Sequence, residues 1–213
     1  MKIVKELTHP YSIILYVLTM FSLLIKPVSA QAQLHTKLEG WGLKSGLNVT
    51  FISEASGDEA RNRFNLGTSY RLKLVKSLYF APELVFQARG AKFSSGFLFP
   101  PINLNIMSID TPALFRYTFA RKNGWMFTSG PNISFAFRTR ASIRNEGQTI
   151  STSASEFTNT VTFGWIGDIG YRIPALNGAF ILAMRYKRGL SAQFEDSDGA
   201  KNDIFSVNVG FEF

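Results

Sequence analysis

Eight stretches of this chain repeat one pattern, an apolar side chain at every second position. It is clearest at 203–213, where Phe205, Val207, Val209, Phe211 and Phe213 alternate with Ile204, Ser206, Asn208, Gly210 and Glu212. Successive side chains on a strand point to opposite faces, so a period of two makes one face greasy and the other mostly polar or small. The same alternation predicts strands at 40–52, 63–75, 78–92, 104–119, 125–140, 158–173, 179–190 and 203–213. Each is long enough to cross a bilayer at a tilt, which takes about 9–11 residues, whereas a membrane helix needs about 20 apolar residues in a row. Only the N-terminus comes near such a run.

The predicted connections alternate in length. Short links fall at 76–77, 120–124 and 174–178, and long polar ones at 53–62, 93–103, 141–157 and 191–202. Tight turns on one side and long loops on the other are the habit of outer-membrane barrels, whose turns face the periplasm. Eight strands then put both ends of the barrel on the periplasmic side. The loop at 141–157 is rich in Ser and Thr, reads as mobile, and is where an external partner is expected. Pro82, Pro112 and Pro131 lie inside predicted strands and lack a ladder donor, so bulges or local breaks are expected there.

Alternation alone leaves two barrels open. A soluble one turns the apolar face inward, and a membrane one turns it out. The polar face is rich in Gly, Ser, Thr and Asn, which suit a narrow lumen. Aromatic residues gather near strand ends, with Trp41, Phe80, Phe119, Trp125, Tyr171, Phe180, Phe211 and Phe213 on the turn side. Phe51, Phe64, Phe137, Phe157 and Phe205 form the loop-side group. Two such belts fit the two membrane interfaces. Slipping one strand by a residue would place its Arg or Lys in lipid, costing about 2–4 kcal/mol each near mid-bilayer.

Residues 1–30 read as a secretory signal. Lys2 and Lys5 precede the apolar stretch 11–25, and small residues permit cleavage after Ala30 or Ala32. An uncleaved anchor is disfavoured by the shortness of that stretch and by Pro27. Residues 31–39 are then a periplasmic tail and 40–213 the barrel. Charged residues make up 18% of the chain, low against about 25% in soluble domains. With Cys absent, disulfides and thiolate chemistry are excluded.

Several segments carry a resemblance. "GWGLKSGLNVTF", "LYFAPELVFQARGAKF", "LNIMSIDTPALFRYTF", "WMFTSGPNISFAF" and "FILAMRYKRGLS" are similar to PorT-like, porin-family outer-membrane β-barrel proteins of Bacteroidota-type bacteria. The terminal Phe213, closing an alternating strand, resembles the signal by which barrel-assembly machinery recognises such proteins. The resemblance implies an all-β, eight-stranded antiparallel up-and-down transmembrane β-barrel in the outer membrane. It specifies biochemical function poorly, and the secretion role behind the family name does not carry over.

Catalytic chemistry finds little support. Of the two histidines, His9 leaves with the signal and His35 precedes the first strand, so a barrel hydrolase would lack its base and a His-built metal site its ligands. No enzyme activity or cofactor is expected. The carboxylates Glu83, Asp110, Asp168 and Glu212 share the polar face with Arg71, Arg89, Arg116, Arg172 and Arg185. Buried charges need partners, so these nine residues read as a lumen ion-pair network. A loop-side set, Arg61, Arg63, Lys92, Arg138, Arg140 and Arg144, reads either as contacts to lipopolysaccharide phosphates or as a merely solvated rim. Behind a signal peptide the basic balance, pI near 9.8, argues for these sites and against nucleic acid. Asn48 and Asn132 begin glycosylation sequons, but inside strands, where they read as chance matches.

The expectation is a small outer-membrane barrel with a structural or surface-binding role, its partners being membrane lipid, lipopolysaccharide and an external ligand. Two alternatives remain, a narrow passive pore for small solutes and an accessory of envelope protein secretion. A lipid enzyme and a soluble binding barrel are weaker rivals.

Overall fold

A computed structural model of the chain describes residues 38–53, 58–93, 102–119, 124–145, 148–155, 158–193 and 200–213. The expected signal, residues 31–37 of the expected tail, the 120–123 link and Phe157 lie outside these, whereas the tail's last two residues, Leu38 and Glu39, already belong to the first strand. Eleven strands are found among the described residues. They are β1 (Leu38–Ser53), β2 (Asp58–Glu59), β3 (Arg61–Val75), β4 (Leu78–Arg89), β5 (Lys92–Phe93), β6 (Ile102–Thr118), β7 (Gly124–Asn145), β8 (Gln148–Ser153), β9 (Val161–Ala175), β10 (Gly178–Gly189) and β11 (Lys201–Glu212).

Eight of them make a closed ring, β1-β3-β4-β6-β7-β9-β10-β11, every neighbour antiparallel, with β11 returning to β1. In β1–β11 the pairs run from Gly42 opposite Glu212 to Ser53 opposite Lys201. The other three strands extend the wall at the loop side. β2 pairs with β5, β5 with β6, and β8 folds back on β7.

The greasy face points outward. Leu47 is 72% exposed, and Leu43, Phe64, Leu66, Phe127, Trp165, Leu182, Met184 and Val209 are exposed with it. The alternate positions are buried and mainly polar, among them Asn48, Thr50, Glu83, Asp110, Thr128, Ser134, Asp168 and Asn208. A soluble barrel with a greasy interior is therefore excluded. The interior is not wholly polar, because Ala91, Leu104, Ile106 and Ala200 form one apolar cluster inside and Met126, Ile181 and Ala183 another.

Aromatic pairs mark the turn-side rim. Trp41 lies 4.8 Å from Tyr70, Trp125 5.4 Å from Tyr171 and Phe180 5.0 Å from Phe211, centroid to centroid. Phe211 also touches Phe213, and the Phe213 N–H donates to the Trp41 carbonyl at 2.8 Å. On the loop side Phe86 sits 6.0 Å from Phe64 and 6.0 Å from Phe137.

Several expected boundaries move. The strand predicted over 78–92 is interrupted at Gly90 and Ala91 and resumes as β5 on β6 in the same frame, with Gly90 so close to β6 that a Cβ would meet the Leu104 carbonyl oxygen at 2.1 Å. The predicted loop 141–157 is largely strand. β7 runs on to Asn145, and β8 pairs with it from Arg140 opposite Ser153 to Asn145 opposite Gln148. Thr149, Ile150 and Thr152 are β-branched and suit an extended chain. β9 begins at Val161 and not 158, since the Thr158 hydroxyl donates to the Ala154 carbonyl at 2.8 Å and the Asn159 amide to the Ala192 carbonyl at 3.0 Å. The turn before β10 is only Leu176 and Asn177.

The prolines shift no register. Ser69 faces Glu83 and Leu72 faces Phe80 across Pro82, while Pro112 faces Asn132 and Pro131 faces Trp165 in the frame of their neighbours. The expected local breaks are there, since the pairing lapses for two residues opposite Pro82 on β3, at Pro112 between β4 and β6 and at Pro131 between β6 and β7, and resumes in the same frame beyond each gap. The shifts fall instead at Leu38/Gly40, Lys73/Val75 and Met107/Ser108. At the last of these Phe137 is the extra residue, since Met107 faces Arg138 and Ser108 faces Ala136.

Two outcomes follow for stability. Met184 is 55% exposed at the middle of β10, opposite Val207 and Ile169, so Met184→Arg should cost about 2–4 kcal/mol in urea unfolding of the barrel in lipid vesicles. Gly90→Ala should cost about 1–3 kcal/mol by the same measurement, because backbone and not a flexible side chain must yield.

Candidate functional site: a charged lumen and a split in the wall

Inward parity carries the charged side chains of seven ring strands into one shared interior, where they sort into tiers. Nearest the turns, Glu212 of β11 meets three guanidiniums. Arg71 of β3 approaches at 2.9 Å, Arg116 of β6 donates a direct hydrogen bond, and Arg172 of β9 stands at 3.7 Å. The next tier centres on Arg185 of β10. Its Nε and Nη2 grip both oxygens of Asp168, each at 2.6 Å, while Nη1 and Nη2 reach Glu83 on β4 at 2.8 and 3.1 Å. The ammonium of Lys44 on β1 also pairs with Glu83. Planar forks held against carboxylates in this way are the strong form of charged hydrogen bond.

Toward the loops, the Lys187 ammonium of β10 donates to Asp110 of β6 and to the Ser134 hydroxyl of β7, each at 2.6 Å. Ser108 adds a hydrogen bond to the other oxygen of Asp110 at 3.2 Å. Arg89 of β4 is two inward steps further toward the loops and 1% exposed. It reaches Thr162 on β9 only at 3.4–3.5 Å, and its Nε has no partner.

Of the nine residues expected as a lumen network, eight thus gather in groups around carboxylates, and Arg89 stands apart from direct ion pairs. Sequence reasoning passed over Lys44 and Lys187 as partners, although both share the inward parity of Glu83 and Asp110. Together the tiers hold seven basic side chains (Lys44, Arg71, Arg89, Arg116, Arg172, Arg185 and Lys187) against four carboxylates. Free space among them is small. A cavity of about 30 Å³ adjoins Lys44, Glu83, Asp168 and Arg185, and one of about 10 Å³ adjoins Asp110 and Lys187. A single water needs about 10–15 Å³ of such volume.

The six expected loop-side cations do not form one cluster. Arg63, Arg138 and Arg140 line a common cleft of about 560 Å³ on the outer face, with Asn62, Phe64, Asn105 and Met107. Arg61 and Lys92 lie outside that lining, and the Arg144 side chain is outside the described part. Among the described residues, no group of three or more His, Asp or Glu is placed to hold a metal ion.

Comparison with known proteins agrees with this architecture. A family model described as "Outer membrane protein beta-barrel domain" matches residues 31–195. No curated protein sequence matches. Among solved structures, neisserial surface protein A (NspA) is 15% identical with a TM-score of 0.48, covering 83% of this chain and 99% of its own. Ail, the attachment invasion locus protein of Yersinia pestis, is 14% identical with a TM-score of 0.44, covering 83% of this chain and 100% of its own. OprG from Pseudomonas aeruginosa is 14% identical with a TM-score of 0.43, covering 84% and 98%. Likenesses this distant carry no argument about function. The family match spans most of the chain and meets a closed eight-stranded ring with lipid-compatible walls, so the protein belongs to the outer membrane protein beta-barrel domain family and is a small barrel of the outer membrane.

Proposed function

We propose that the protein is a non-conducting barrel with a structural or surface-binding role, its loops facing outward from the cell and its turns facing the periplasm. The observation that carries this reading is the cross-lumen tie from Asp168 through Arg185 to Glu83, which joins β9 and β10 to β4 on the far side of the ring. A permeant ion would have to displace charges already paired in a low-dielectric interior. Removing one partner of such a pair typically costs about 3–5 kcal/mol. Cavities of about 30 and 10 Å³ beside the tie leave room for isolated waters rather than a file of them.

On this reading Phe213, 58% exposed beside Phe211, is the handle for barrel-assembly machinery. The segment resemblance to PorT-like proteins supports the barrel and supplies no secretion step. The β7–β8 hairpin, extending the wall beyond β9, is the natural place for an external partner.

Planar-bilayer recording of the refolded protein should show no reproducible channel steps, and steps of constant size would overturn the reading. The tie should also dominate stability. Arg185→Met leaves buried Asp168 without its cation and Glu83 with Lys44 alone, and should cost about 3–5 kcal/mol in urea unfolding. Adding Asp168→Asn to it should recover part of the loss, since a neutral amide needs no counter-charge and Glu83 keeps Lys44.

A further inference from the structure

Between β3 and β4 the wall closes only as far as Asn65 opposite Gln87. Beyond that pair β3 stays on β1, with Phe64 opposite Leu47 and Arg61 opposite Thr50, while β4 stays on β6, with Ala88 opposite Met107 and Arg89 opposite Ile106. The wall therefore opens between the Asn65–Gln87 pair and the Glu59–Lys92 pair, where β2 and β5 close it again on the loop side. Inside, the split is sealed by β1. The Thr50 hydroxyl donates to the Gly90 carbonyl at 2.6 Å and accepts from the Gly90 N–H at 3.2 Å. Ala91, fully buried, packs behind it against Leu104 and Ile106. Outside, the split is the 560 Å³ cleft.

Three observations say what fills it. First, the charge is of one sign. Arg63, Arg138 and Arg140 line the cleft, Arg89 lies at its back, and no carboxylate joins them among the described residues. Arg63 is engaged with the Asn105 side chain, whereas Arg138 and Arg140 are exposed and their guanidiniums make no hydrogen bond or ion pair with any described residue. Second, the arginines are held out of the lumen by the bulge. Without the extra Phe137, the inward parity of Asn132 and Ser134 would continue through positions 138 and 140. With it, Thr139 turns inward and both arginines face the surroundings of the barrel. Third, the cleft is continuous with the lipid-facing wall. Leu47, Phe64 and Met107 line it, and the ring row Phe64, Phe86 and Phe137 runs alongside.

We propose that this cleft binds a phosphorylated lipid of the membrane in which the barrel sits, the arginines taking the phosphate and the aromatic row the first part of the acyl chains. Charged groups facing a membrane are retained where they have a partner or a task. Guanidinium forks match phosphate oxygens in pairs. A soluble anion would have no use for the apolar walls, and an uncharged lipid none for the arginines. The site rests on the outer-membrane setting and not on a closed lumen, so channel steps in a bilayer would leave it untouched.

The test is lipid retention by the full chain, refolded into phosphatidylcholine nanodiscs doped with lipid A or with its dephosphorylated form, and read by native mass spectrometry after release into detergent. Lipid A should stay bound and the dephosphorylated form should not. Arg138→Gln and Arg140→Gln should each weaken retention roughly tenfold. Arg188→Gln, which removes an exposed arginine on β10 across the barrel, should leave it unchanged. Met107→Trp, which keeps every charge and narrows the cleft, should also weaken retention, and circular dichroism would confirm that each variant is folded. Equal loss with Arg188→Gln, or equal retention of the dephosphorylated lipid, would overturn the proposal. So would full displacement by inorganic phosphate, which would make the ligand a free anion.

Discussion

The pairing of β11 with β1 is the constraint on which the rest depends. A sheet in hydrocarbon has no water to satisfy a free edge, so the only stable solution is a ring without one. The ring separates the two faces of every strand into two environments at once. Lipid takes Leu47, Met184 and Val209, and the interior takes Asn48, Arg185 and Asn208. With only eight strands the interior is narrow enough for side chains to fill it. Arginines and carboxylates from opposite walls therefore reach one another directly, without a water-filled channel between them.

How much of this was legible in the sequence differs between parity and partnership. Parity needs only local alternation, so the outward set and the inward charges of β1, β3, β4, β6, β9, β10 and β11 could be read residue by residue. Partnership depends on strand tilt and on the levels that meet across the lumen. Nothing around Glu83 or Arg185 announces that they touch, and Lys187 had no visible claim on Asp110. The prolines were legible for the same local reason as parity. A missing donor interrupts the ladder at Pro82, Pro112 and Pro131, and pairs on both sides keep the register across each break. The Ser and Thr content of 148–153 suggested a loop, but its β-branched members fold back on β7.

The Phe137 bulge was hidden most completely. "FAFRTR" alternates without a flaw, and the added residue is visible only once β6 is laid beside β7. Its effect is out of proportion to its size, because a one-residue offset exchanges inside for outside for every position after it. Arg138 and Arg140 change environment by that step alone. The split between β3 and β4 was equally invisible, since it depends on where two partners part company and not on the composition of either.

The tie from Glu83 to Arg185 links residues 102 apart in the chain, and that from Arg116 to Glu212 links residues 96 apart. Neither can form until the last strands have come round to the first, so both belong to the end of assembly. Interactions absent from a folding transition state slow unfolding without hastening folding. The charged interior thus acts as a latch. Losing it would speed the opening of the barrel by as much as it lowers the stability of the closed ring, and would leave the pace of assembly unchanged.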